Sequence, residues 1–131
     1  MSPDEAREKL IDYWRLRADE AVASARSELG AGRPRFAINR AYYACFYAAS
    51  ALLLGDGRKF VRHAGVRAAL HKHFVKTGRL DRTFGALYDR LFAWRQEADY
   101  GELVDFDEAP AAHAVEESRR FVDELKRLAA E

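Results

Sequence analysis

The sequence predicts an all-α fold, an antiparallel bundle of about five helices. Three observations predict it. Apolar residues recur at steps of three and four in every long segment. Glycine and proline gather at intervals, where helices need to end. No segment alternates apolar and polar residues as a half-buried strand does. The 131 residues suit one domain, 1–131, with no linker and no internal repeat.

The elements follow in order. Ser2-Pro3-Asp4-Glu5 opens a first helix, with acids placed against its N-terminal dipole. Its apolar stripe is Leu10, Trp14, Ala18, Ala21, Val22, Ala25 and Leu29. Gly30-Ala31-Gly32 and Pro34 end it. A second helix spans Arg35 to Leu54 and stops at Gly55-Asp56-Gly57. A third covers His63 to Lys76 and is closed by Gly78. A fourth covers Arg82 to Ala98 and breaks near Tyr100-Gly101. Asp105 to Pro110 is a loop rich in helix-starting acids. The fifth helix runs to Leu128, with Val115, Ser118, Phe121, Val122, Leu125 and Leu128 on its stripe.

Composition narrows the function classes. Hydrophobic residues make up 49% and charged residues 33%, enough for a core and for solubility, which excludes a disordered chain. The single cysteine, Cys45, excludes an internal disulfide framework and a cysteine-built zinc site. The N-terminus lacks a signal-peptide pattern, and the apolar run Ala41–Leu54 is short of the ~20 residues a membrane span needs. The expectation is a soluble, cytoplasmic protein with no membrane partner. The net charge of +1 hides a split: residues 58–95 carry ten basic and two acidic side chains, and residues 96–131 carry four basic and eleven acidic. Either the basic segment attracts phosphates, or the two segments pack side by side and neutralise each other.

Two helices depart from a simple amphipathic pattern. On the second, Ile38, Tyr42, Cys45, Ala49, Leu52 and Leu53 share one face, and Phe36, Arg40, Tyr43, Tyr47 and Leu54 share the opposite one. A helix apolar on two sides is covered on two sides, by its own domain or by a second copy. On the fourth, the seam Phe84, Tyr88, Leu91 lands next on Arg95. An arginine in an apolar seam snorkels, pairs or lines a cleft. Asp99 lies four residues on, although an acid near a helix C-terminus opposes the dipole. The other polar candidates are weaker. His71 and His73 are two apart and diverge on a helix, so no metal site is expected. His73 reads as a partly buried helix residue, and Cys45 as a small buried hydrophobe. His63, after the basic stretch Arg58-Lys59-Phe60-Val61-Arg62, reads as a helix cap in preference to a phosphate contact.

Four blocks carry a resemblance. They are Asn39-Arg40-Ala41-Tyr42-Tyr43-Ala44-Cys45-Phe46-Tyr47-Ala48-Ala49, then Arg62-His63-Ala64-Gly65-Val66, then His73-Phe74-Val75-Lys76-Thr77-Gly78, then Arg95-Gln96-Glu97-Ala98-Asp99-Tyr100. In this order they resemble a small stand-alone HEPN (higher eukaryotes and prokaryotes nucleotide-binding) domain protein, over residues 5 to 128. The resemblance implies a four- or five-helix bundle acting as a homodimer. It implies metal-independent RNA cleavage, without a cofactor, in a cleft where two copies of an arginine-histidine motif meet. It also implies a toxin role beside a minimal nucleotidyltransferase antitoxin.

Arg95 matches the family arginine, a permanent forked cation suited to a phosphate under attack. The family histidine does not carry over: Tyr100 stands in its place, and an unperturbed tyrosine, near pKa 10, is a poor base at neutral pH. The catalytic candidates are thus Arg95, Asp99 and Tyr100, with Asp99 orienting Arg95 or acting as base. Asn39, Arg40, Tyr43, Tyr47, Arg62 and His63 are the candidates for the cleft. Two functions compete: an RNA- or nucleotide-binding toxin that cleaves RNA, and a non-catalytic module that docks a nucleotidyltransferase. Related systems add AMP to a tyrosine near the motif, which makes Tyr100 the implied acceptor.

Overall fold

The computed structural model describes residues 1–100 and 106–131, with the Tyr100 side chain outside the description. Among these residues it is all-α. The helices are α1 (Pro3–Gly30), α2 (Pro34–Gly55), α3 (His63–Leu70), α4 (Arg82–Tyr100) and α5 (Glu108–Ala129). The Ser2 hydroxyl caps α1 by accepting from the Glu5 N–H at 3.1 Å, and proline occupies the first turn of α1 and α2. The fourth helix runs two residues past its predicted end. The third is not uniform: α3 widens into a π-helical segment over His71–Val75, closed by the Lys76 N–H donating to the His71 carbonyl at 2.8 Å.

Helix α2 is the centre of the molecule. It packs most extensively on α1, then on α5, α4 and α3. Its predicted inner face is buried throughout: Ile38, Tyr42, Cys45, Ala49, Leu52 and Leu53. Alanines set the spacing on another side, where Ala37 and Ala41 meet Ala25 of α1 and Val115 of α5. Short side chains let helix axes approach closely, and interior density comes from that fit. The opposite face divides. Leu54 is buried, Arg40, Tyr43 and Tyr47 are half-buried, and Phe36 is 56% exposed. The domain itself therefore covers most of both faces. The predicted stripe of α5 is buried at every position, and the Ser118 hydroxyl donates to the Val115 carbonyl at 2.6 Å.

Charge neutralisation between the basic and acidic segments is sparse. Among the described residues two ion pairs join them, Arg90–Glu117 at 2.8 Å and Arg95–Asp99 at 3.2 Å. Other acids of α5 turn elsewhere: Glu116 to Arg26 of α1, and Asp123 and Glu124 to arginines of α5 itself. Lys59, Arg62, Lys72 and Lys76 make no ion pair among the described residues. No helix among them is long and apolar enough to cross a membrane.

Candidate functional site

The C-terminal turn of α4 lies against the N-terminal half of α2. This junction holds Arg95, Asp99, Asn39, Arg40 and Tyr43. Arg95 continues the buried line of Tyr88 and Leu91, and its side chain is only 13% exposed. Its Nε donates to Asp99 Oδ2 at 3.2 Å. The Asn39 amide donates to both Asp99 oxygens, at 3.0 and 3.2 Å. Asn39 Oδ1 in turn accepts from Arg40 Nε and Nη2, at 2.9 and 2.6 Å. The order is Arg40, Asn39, Asp99, Arg95, and it orients the asparagine amide unambiguously. Both Asp99 oxygens accept hydrogen bonds, so the carboxylate ties the Arg95 guanidinium to the Asn39 amide. This also explains an acid at an unfavourable helix end: the Asn39 side chain, sixty positions away, holds it there.

The guanidinium of Arg95 rests on aromatic faces, 5.4 Å from the Tyr42 ring and 5.5 Å from Tyr43. Arg40 lies 5.0 Å from Tyr43 as well. Two cations therefore share one ring, with a single carboxylate between them. The Nη groups of Arg95 make no hydrogen bond among the described residues. Two guanidiniums on one ring, one with free Nη donors, carry the donor chemistry that anions such as phosphate pair with.

His63 belongs to this cluster and is not a helix cap. Arg62 holds the cap position of α3 and makes no side-chain capping bond, and His63 is the first helical residue. The His63 ring turns inward because Phe46 and Tyr42 bind it. It stacks on Phe46 at 4.2 Å and 10°, and Nδ1 lies 2.7 Å from the Tyr42 hydroxyl. It also meets the edge of Tyr43 at 5.7 Å. His63 and Arg95 therefore pack on the same two tyrosines. Burial, and then the positive charge of Arg95, lower the His63 pKa below its ordinary 6.5. The imidazole is neutral at pH 7. Burial pushes the Tyr42 hydroxyl up to about 12, so it stays protonated. The Tyr88 hydroxyl is buried near it, has no hydrogen bond among the described residues, and is likewise held far above the ordinary range by burial. Whichever way the proton points in the Tyr42–His63 bond, Nε2 is the nitrogen left for chemistry.

The remaining candidates fall outside the cluster or outside the description. Tyr47 sits one turn further along α2, stacked on Trp14 at 5.5 Å with Arg17 5.5 Å from its ring. Arg62 is exposed. The Tyr100 side chain lies outside the described residues. Cys45 is fully buried and its thiol pKa is raised by that burial, which leaves it inert. Sequence reasoning placed Tyr42 on the core face and did not see that its hydroxyl reaches His63. Trp14, Phe46 and Phe60, which line a pocket together with His63, were also missed. Aromatic residues close to a basic stretch were the available signal, but they lie on three separate elements.

Comparison with known proteins agrees with the fold. The HEPN domain model matches residues 11–128. A UPF0332 protein of Thermotoga maritima is 43% identical over 122 residues, covering 93% of this chain and 92% of that protein. Two Methanocaldococcus jannaschii proteins, named "Putative toxin MJ0605" and "Putative toxin MJ0142", are 32% and 28% identical. Those alignments cover 84% and 92% of this chain, and 81% and 79% of the two proteins. With the matched region reaching from the first turns of α1 to the end of α5, the chain belongs to the HEPN domain family.

Proposed function

We propose that this protein is the toxin-like member of a toxin–antitoxin pair, and that it binds RNA at the Arg95 site and cleaves it without a metal ion. The observation that carries the reading is the meeting of an oriented arginine and a neutral histidine on one pair of tyrosines. The names of the two Methanocaldococcus jannaschii relatives support the toxin role.

The chemistry needs three things: a held phosphate, a base and a protonated leaving group. Arg95 binds the phosphate through its open fork, with Asp99 and Asn39 fixing its direction. The His63 Nδ1–H donates a hydrogen bond to the Tyr42 oxygen, which leaves the Nε2 lone pair as the base. Nε2 takes the proton of a ribose 2′-hydroxyl. The 2′ oxygen forms a bond to phosphorus, and the bond to the 5′ oxygen breaks. The products are a 2′,3′-cyclic phosphate and a 5′-hydroxyl, the latter protonated by solvent. Histidine at position 63 thus fills the role that Tyr100 fills poorly. Two protomers would bring two such sites to one cleft, and a minimal nucleotidyltransferase is the proposed antitoxin.

A second reading has its own support. Tyr100 in the place of the motif histidine favours a non-catalytic module that binds RNA or nucleotide and docks the nucleotidyltransferase. Total RNA incubated with the purified protein and with Arg95→Ala separates the two. The cleavage reading expects cyclic-phosphate ends from the wild type and a loss of about 100-fold or more in the variant. Equal cleavage by both removes Arg95 from the mechanism. RNA bound but uncut by either protein selects the second reading.

A further inference from the structure

A cavity of about 230 Å³ opens beside His63. Three elements build it. Trp14 comes from α1, Phe46, Ser50 and Leu54 from α2, and Lys59, Phe60, Val61 and His63 from the segment leading into α3. Half of its lining is rings (Trp14, Phe46, Phe60 and His63), and its volume is below the ~300–1,000 Å³ of drug-sized sites, so it suits one flat ring system. The walls are already ordered: His63 lies parallel to Phe46, and Trp14 is stacked on Tyr47. Phe60 lies down against α3 because residue 65 is glycine. A Cβ there would meet the Phe60 ring at 3.3 Å.

Few polar atoms face this space. The Ser50 hydroxyl is used on the Phe46 carbonyl at 2.8 Å, and His63 Nδ1 is used on Tyr42. The Lys59 ammonium is left. Lys59 and the nearby Arg62 are exposed and make no ion pair among the described residues. Aromatic walls with a cationic rim complement an aromatic ring that carries an anion. They do not suit an apolar peptide side chain, which would leave the rim unmatched.

We propose that this cavity is a nucleobase subsite, which takes one base of the bound RNA strand while Lys59 and Arg62 hold its phosphate. His63 lines this cavity and packs on the same two tyrosines as Arg95, so the subsite and the Arg95 site adjoin through that side chain. The inference rests on the RNA-binding reading above. Stacking on aromatic side chains is sequence-tolerant, so the subsite adds affinity more than it selects a base.

The test is fluorescence anisotropy with a labelled eight-nucleotide RNA and with an abasic ribose-phosphate oligomer of equal length. Phe60 is 39% exposed in a connecting segment, so Phe60→Ala leaves the core intact. The variant is expected to bind the RNA about tenfold more weakly. It is expected to bind the abasic oligomer as the wild type does, and Phe60→Trp is expected to restore RNA affinity. Unchanged RNA affinity in Phe60→Ala, or an equal loss on the abasic oligomer, overturns the subsite. Binding of free AMP that Phe60→Ala abolishes while RNA affinity stays unchanged assigns the cavity to a mononucleotide and also overturns it. Arg95→Ala, assayed in parallel, keeps the two readings apart. Loss of RNA affinity in Arg95→Ala alone leaves the Arg95 site standing and removes only the subsite, whereas no loss in either variant removes both.

Discussion

Asn39 is the residue on which the site's geometry turns. Its amide joins a carboxylate on α4 to a guanidinium on α2, and neither glutamine nor aspartate reproduces that reach and polarity. His63 is the residue on which the proposed chemistry turns. It faces Tyr42, Tyr43 and Phe46 of α2 and Arg95 of α4, with Lys59 on its own connecting segment. Its folded pKa lies below the unfolded value, so the unfolded chain binds its proton first as pH falls. The contribution of His63 to stability is complete above pH 6.5 and is lost as pH drops through the depressed folded value. Urea unfolding at several pH values checks this. The wild type is expected to lose more stability than His63→Gln between neutral pH and pH 5, and identical pH profiles would contradict it. The comparison with the variant is needed because the His73 pKa is also lowered, by burial first and then by nearby cations.

At the scale of elements, the π-helical turn after α3 and the start of α4 form one unit. The widened turn presents His71 to Asp89 of α4, with Nε2 at 2.9 Å, and Arg67 reaches the same carboxylate oxygen at 2.7 Å. The approach is close because residue 85 is glycine. A Cβ there would lie 2.9 Å from His71 Cε1 and 3.1 Å from Val75 Cγ2. His71 is tied to Asp89 and Val75 is short, so neither yields cheaply. Two effects oppose each other in Gly85→Ala. Alanine gains about 0.5–1 kcal/mol of helix propensity, and overpacking costs about 1–3 kcal/mol. The overpacking wins, and the variant is expected to be less stable by about 1 kcal/mol, a fall in Tm of about 3–5 °C. Differential scanning calorimetry reads it, and a raised Tm would show that α4 can move away from the π turn.

For the molecule as a whole, stability comes from α2 enclosed by its neighbours. The ion pairs that lace α1 to α5, such as Asp19 with Lys126 at 2.7 Å, are partly exposed, and such pairs contribute about 0–1 kcal/mol. The charge left unpaired bears on the proposed RNA binding. If the basic segment meets RNA, affinity falls with salt, by a slope of about −0.7 per phosphate neutralised on a single strand. Replacing Lys59 and Arg62 together by alanine is expected to flatten that slope by about 1.4. Binding that ignores salt in the wild type would instead favour a protein partner. Sedimentation of the purified chain checks the proposed homodimer, for which twice the mass of one chain is expected.

Much of this architecture was legible in one dimension. Helical spacing, with glycine and proline between segments, placed the helices to within a few residues, because hydrogen bonds within a helix are local. The π turn escaped, since it answers to a neighbouring helix. Arg95 stood out because an arginine interrupting Phe84, Tyr88 and Leu91 breaks a period, and a broken period can be read from spacing alone. Family membership was legible in the same way, from blocks of adjacent residues. What the fold alone decided is which distant groups touch. Asn39 binds Asp99 across sixty positions, and Tyr42 binds His63 across twenty-one. Periodicity assigns a side chain to a face, but the distance between faces of different helices depends on how their axes pack. For that reason the local sequence marked His63 as a cap, the resemblance alone made it a cleft candidate, and only the packing of α2 against α3 and α4 turned it toward Tyr42 and the charge of Arg95.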